Sequence, residues 1–197
     1  MAHQHVPETI SPSVLELCSK INPNVQPKFI AITPEPGCAV ADCFLNVKRK
    51  IDHGGGRIQF GWAIWEWPHV FIEAEHHAVY EPPDGSPARD ITPCAKSNHR
   101  RLFLPDDAAT YDYVHEGFRR DNVRLALSDD PLINELFLAA RRRSEYYNGL
   151  PGVGQIVIHA SENKTLEKLE RRVERAIAAL EKKYGGVGAG SSPIQPN

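Results

Sequence analysis

The sequence lacks the features that would carry it into a membrane or out of a cell. No run approaches the 18 or so apolar residues of a bilayer-spanning helix. The opening residues, Met1-Ala2-His3-Gln4-His5-Val6-Pro7, have neither the basic start nor the apolar stretch of a secretory signal. No CxxC pair exists. The four cysteines, Cys18, Cys38, Cys43 and Cys94, are irregularly spaced. They read as free thiols in a reducing compartment, not as a disulfide framework or a thiolate zinc site. Basic excess is missing too: 23 Lys and Arg stand against 25 Asp and Glu, a net charge of −2. Nucleic-acid binders are usually basic, so nucleic acid is not expected as a partner. There is no internal repeat and no HExxH spacing. The expectation is a cytoplasmic chain with no membrane partner and no cofactor.

What is present fits one domain with a sizeable core. The chain has 197 residues, 41% hydrophobic and 24% charged. Its 14 glycines and 16 prolines predict a loop-rich fold. Ser11-Pro12 starts a helix, with Ser11 as N-cap and Pro12 at the first helical position. Residues 27–33 read as a short strand. Asp42 caps a helix from Cys43 to about Ile51, in which Phe44, Val47 and Ile51 share a face before Gly54-Gly55-Gly56 ends it. Arg57 to Trp67 and Val70 to Tyr80 form a hairpin, and Ala88 to Thr92 is a short strand after the Asp84-Gly85 turn.

The second half reads as mostly helical. Asp106 to Val114 is weakly helical, and Asp130-Pro131 opens a helix that ends at Asn148-Gly149. Gln155 to Ala160 is a candidate strand. Leu166, Leu169, Val173, Ala176, Ile177 and Leu180 mark an amphipathic terminal helix. Residues 1–184 are therefore expected as a single α+β domain, with a flexible tail at 185–197.

Three residues combine into a chemistry. Cys43 lies at the first turn of its helix, against partly positive N–H groups that favour a thiolate and can stabilise an oxyanion. A nucleophilic cysteine needs a base, and His77 on the second hairpin strand is the candidate. Strand alternation puts Glu73, Glu75, His77 and Val79 on one face and His76 on the other, so only one of the paired histidines can serve a given site. Asp90, on the next strand, is placed to hold the imidazole in its working tautomer.

This ordered set resembles the transglutaminase-like and papain-like cysteine enzyme superfamily. His77-Ala78-Val79-Tyr80-Glu81, Asp84-Gly85 and Asp90-Ile91-Thr92-Pro93 are similar to the pattern His-Ala-Trp-x-Glu, turn, Asp-Pro-Thr. Cys43-Phe44-Leu45-Asn46-Val47 resembles the Cys-x-x-Asn-Ala/Val helix of small bacterial and phage members, and Gly61-Trp62-Ala63-Ile64 their Gly-Tyr/Trp-Ala-Leu strand. Val79 and Ile91 depart from the pattern. No upstream glutamine suits an oxyanion hole; Gln26 is the nearest, too far from Cys43. The resemblance covers residues 27–93. It implies a Cys-bearing helix packed on a small antiparallel sheet, ahead of the mostly helical half that the residue pattern gives at 94–184. It also implies a Cys43–His77–Asp90 triad acting on an amide or (iso)peptide bond of a protein or peptide, by hydrolysis or acyl transfer, and it selects His77 over His76.

Other readings stand beside this one. Trp65 and Trp67 share a strand face and are candidates to line an acyl-substrate channel, the plainer reading being core or groove edge. Asn46 is a candidate substrate contact or a tie between helix and loop. The same fold can serve as a noncatalytic protein-binding module. Glu75, His77 and Asp90 are possible metal ligands, though a poor zinc set unless others join. Arg119-Arg120 and Arg141-Arg142-Arg143 read as solvated helix faces, and His99-Arg100-Arg101 as a weak anion site. The terminal helix either packs back on the domain or self-associates through 165–184.

Overall fold

A computed structural model describes residues 4–94, 98–113, 120–150 and 160–185. The order of elements is α1 (Pro12–Ile21), β1 (Lys28–Ile32), α2 (Cys43–Gly54), β2 (Arg57–Trp67), β3 (Phe71–Glu81), β4 (Arg89–Asp90), β5 (Arg100–Pro105), β6 (Val123–Ala126), α3 (Pro131–Asn148) and α4 (Ala160–Tyr184). The architecture is α+β.

The β2–β3 hairpin is the spine. It pairs from Arg57↔Glu81 to Trp67↔Phe71 without a break, and its turn holds His69 at a left-handed φ of 63°. Strand β5 lies antiparallel to β2, β1 antiparallel to β5, and β4 parallel to β1. Strand β4 then returns to β3 through Tyr80↔Arg89. The ring β2-β5-β1-β4-β3 is therefore closed, and β6 adds to the start of β3 outside it. The expected small antiparallel sheet is corrected to a mixed sheet closed into a five-strand barrel.

The expected helical second half is corrected as well. Strands β5 and β6 fall within it, and Asp106 to Tyr113 forms turns and extended chain with no helix. Strand β5 escapes pattern reading because both of its faces are covered. Leu102 and Leu104 pack under α1 while Arg101 and Phe103 turn inward, so all four are buried and no alternation shows. The candidate strand at 155–160 falls almost wholly outside the described residues, as do Val114 and the tail from 186 onward.

The helices bury the outer wall. Val14, Leu17 and Cys18 of α1 join Trp62, Ile64, Ile72, Ala74, Leu102 and Leu104. Val47 of α2 packs on Tyr80 and Ile91. Ile133, Leu136, Val173 and Leu180 of α3 and α4 close over Trp67, Val70 and Phe71. Register places Gly61, Ala63, His77, Asp90, Arg101 and Phe103 on the inner side. Gly61 is required there: a Cβ would stand 2.2 Å from the Leu104 carbonyl oxygen and 2.6 Å from Phe103 Cζ.

Candidate active site

Cys43 is the first residue of α2, and buried. The side chain of its N-cap, Asp42, pairs with Arg49 at 3.7 Å and accepts no bond from the helix N–H groups, so those of the first turn carry no side-chain cap. Just before it, Ala41 holds φ at 59°, a conformation unusual for a residue with a Cβ. Ala41, Cys43, Phe44, Trp65, Glu75, His77 and Arg101 are among the residues that line one cleft of about 420 Å³.

His77 enters this cleft from β3. Its Nε2 donates to Asp90 Oδ2 at 3.0 Å, which leaves Nδ1 as the nitrogen for the thiol. Both side chains are buried. Burial works against a charged imidazole, but the neighbouring Cys43 sulfur and the Asp90 carboxylate outweigh it and raise the His77 pKa well above its ordinary value. Asp90 is fully enclosed. Burial works to raise its pKa, yet His77 and the Arg101 guanidinium together hold it at about 2. Arg101 Nε donates to the same Oδ2 at 2.6 Å, and the Thr92 N–H donates to Oδ1 at 2.9 Å. Arg101 also stacks its guanidinium over Trp65, 5.2 Å from the ring centroid.

His76 lies on the opposite face of β3 and borders the cleft beside Phe44. Its Nε2 donates to the Ala109 carbonyl at 2.6 Å, its ring packs against Phe44 and Trp62, and burial lowers its pKa. Within the hairpin, then, it is His77 that meets Asp90.

The substrate candidates separate. Trp65 lines the cleft and donates from Nε1 to Glu75 Oε2 at 2.8 Å. Trp67, expected beside it, is corrected to a core residue, packed with Phe71 beneath α3 and α4. Trp67 follows the alternation, but by its position the chain has passed the cleft. Asn46 sits as a tie between helix and loop, the second of its two sequence readings. Its amide donates to the Ala39 carbonyl at 2.8 Å and to Thr92 Oγ1 at 3.2 Å. Its oxygen accepts from the Ala39 N–H at 3.0 Å and from Arg49 Nη2 at 2.7 Å. All four hydrogen-bonding positions of the amide are occupied within the chain.

Two residues went unread in the sequence. Arg101, taken there as part of an anion site, is buried against Asp90. Gln4 lines the cleft and donates to the buried Glu73, which also accepts from Asn122 Nδ2 and Arg124 Nε at 3.0 Å each. Asp90 is taken up by His77 and Arg101, and among the described residues no three His, Cys, Asp or Glu side chains converge as ligands. Also among the described residues, no helix is long and apolar enough to cross a membrane.

No family model matches this chain, and no curated protein or solved structure matches it.

Proposed function

We propose that this chain is a cysteine-dependent hydrolase or acyltransferase acting on an amide or (iso)peptide bond. One observation carries the reading: His77, bonded to the buried Asp90, lines the same cleft as a cysteine at the first turn of a helix. The likeness of the motifs to papain-like and transglutaminase-like enzymes belongs to this proposal, supported by a Cys-bearing helix packed on the barrel wall.

In the reaction, His77 takes the thiol proton and the Cys43 sulfur adds to the carbonyl carbon. The carbonyl oxygen becomes an oxyanion, met by the uncapped N–H groups at the start of α2. His77 then gives its proton to the leaving amine as the C–N bond breaks, and an S-acyl enzyme remains. Water or a second amine, deprotonated by His77, attacks this thioester and restores the thiol. Asp90 holds the ring by Nε2 throughout, and Arg101 and Thr92 hold Asp90.

The test is iodoacetamide alkylation of each cysteine across pH, read by mass spectrometry. Burial raises the Cys18 thiol to about 11 and raises Cys38 as well, so both serve as slow references. Cys43 is expected to react faster than either at pH 6.5, and His77→Ala to slow it about tenfold or more. A Cys43 no faster than Cys94, or indifferent to His77→Ala, overturns the reading.

A further inference from the structure

Among the described residues, the charges around the cleft cancel in pairs, with one exception. Asp90 is matched by Arg101 and His77. Glu73 is matched by Arg124 at 3.0 Å, with Asn122 and Gln4 completing its bonds. Among the described residues Glu75 has no ion pair; its one bond is the 2.8 Å N–H from Trp65. That bond holds one carboxylate oxygen against the indole edge and leaves the other without a partner. Glu75 is exposed, so its charge costs nothing to keep, and it stands in the wall of the cleft.

Glu75 precedes His77 by two residues on the same face of β3, about 7 Å along the strand. A substrate whose scissile carbonyl lies at Cys43 therefore passes an uncompensated carboxylate within one or two residues of the reacting bond. Trp65 adds an apolar wall beside it, and its outer neighbours in the cleft, Val40 and Phe44, add no charge.

We infer that Glu75 is the specificity determinant of the cleft and that it selects substrates bearing an ammonium group close to the scissile carbonyl, such as a peptide with a lysine side chain or a free α-amine at that position. This rests on Cys43 being the reactive thiol of the proposed enzyme. Glu75 binds the cation as a salt bridge at the cleft mouth. Trp65 fixes the direction of the carboxylate, and the Arg101 cation stacked behind Trp65 is already spent on Asp90.

Charged thiol probes read this without a known substrate. Methanethiosulfonates with a 2-aminoethyl cation, a neutral methyl group or a 2-sulfonatoethyl anion each transfer their thioalkyl group to Cys43, with methanesulfinate leaving. Rates at Cys43 are measured in the wild type, in Glu75→Gln and in His77→Ala, with Cys94 as internal reference. At low ionic strength, the wild type is expected to prefer the cation over the neutral probe about fivefold, as one carboxylate in the wall of a half-wet cleft would give. Glu75→Gln should bring that cation-to-neutral ratio close to one, and added salt should shrink the wild-type preference.

The failures are distinguishable. A neutral-probe rate at Cys43 that matches Cys94 and ignores His77→Ala overturns the enzyme reading and the inference with it. A fast, His77-dependent neutral rate with no cation preference, or with a preference that survives Glu75→Gln, overturns the inference alone. Glu75→Gln changes an exposed side chain, and an unchanged melting temperature confirms that the comparison is between folded proteins.

Discussion

Asp90 holds two cationic donors on a single oxygen, His77 at 3.0 Å and Arg101 at 2.6 Å. Its pKa of about 2 lies below the unfolded value of about 3.9. Such a group contributes stability above about pH 4 and loses it as pH falls through about 2; the contribution is on the order of 2 kcal/mol. Asp90→Asn, which leaves Arg101 buried without its counter-charge, should cost about 3 kcal/mol at neutral pH. Denaturant unfolding of both proteins should show that gap narrowing toward pH 2. His77 works in the opposite sense. Its pKa is raised in the fold, so its contribution is complete below about pH 6.5 and lost as pH rises through the folded value. The stability gap between wild type and His77→Ala should therefore narrow on the alkaline side. The helix start at Cys43 and the strands carrying His77 and Asp90 were legible in the sequence, but alternation alone left His76 and His77 open, and only the family resemblance chose between them. Arg101 was not legible, because its role depends on β5, a strand the pattern did not reveal.

At the scale of elements, two positions hold the site together. Asn46 ties α2 to the loop before it and to Thr92, next to the Asp90 strand. Asn46→Ala leaves the Ala39 N–H and carbonyl without their side-chain partner, and a loss of about 2–4 kcal/mol is expected in chemical unfolding. If Asn46 instead touched substrate, stability would hold and only KM would move. Gly61 faces His77 across the hairpin, where β5 closes onto β2. Gly61→Ala should cost about 3 kcal/mol or prevent folding, because the added methyl meets the Leu104 backbone as well as the buried Phe103 ring. The hairpin could be read from the sequence almost residue for residue, as could the starts of α1, α2 and α3. Ser11 and Asp130 accept the expected capping bonds, from the Val14 and Leu132 N–H groups. Strand β6, four residues long and half-buried throughout, offered too little pattern to read.

At the scale of the molecule, closure of the barrel was the least legible feature. It depends on a parallel pairing of β1 with β4, two residues long, between segments far apart in the chain. Neither strand carries a sign of its partner. The same distance effect moved Trp67 from cleft to core: α3 and α4 cover that end of the hairpin, and local alternation does not record it. Leu180 of α4 is fully buried in this second core. Leu180→Ala should cost about 2–5 kcal/mol, yet leave the alkylation rate of Cys43 in the folded protein within about twofold of wild type, since none of the described cleft-lining residues comes from α3 or α4. Parallel measurement of unfolding midpoint and labelling rate checks both halves of that expectation.

The central claim is that Cys43 becomes acylated with help from His77. Reaction with p-nitrophenyl acetate, followed by stopped-flow absorbance and intact-mass analysis, tests it most directly. The account predicts a burst of p-nitrophenolate of one equivalent per chain and a single acetyl group mapping to Cys43. In His77→Ala the burst should be slowed, and in Cys43→Ala it should be absent. No burst, or acetylation spread over other side chains and unchanged in Cys43→Ala, would contradict the account.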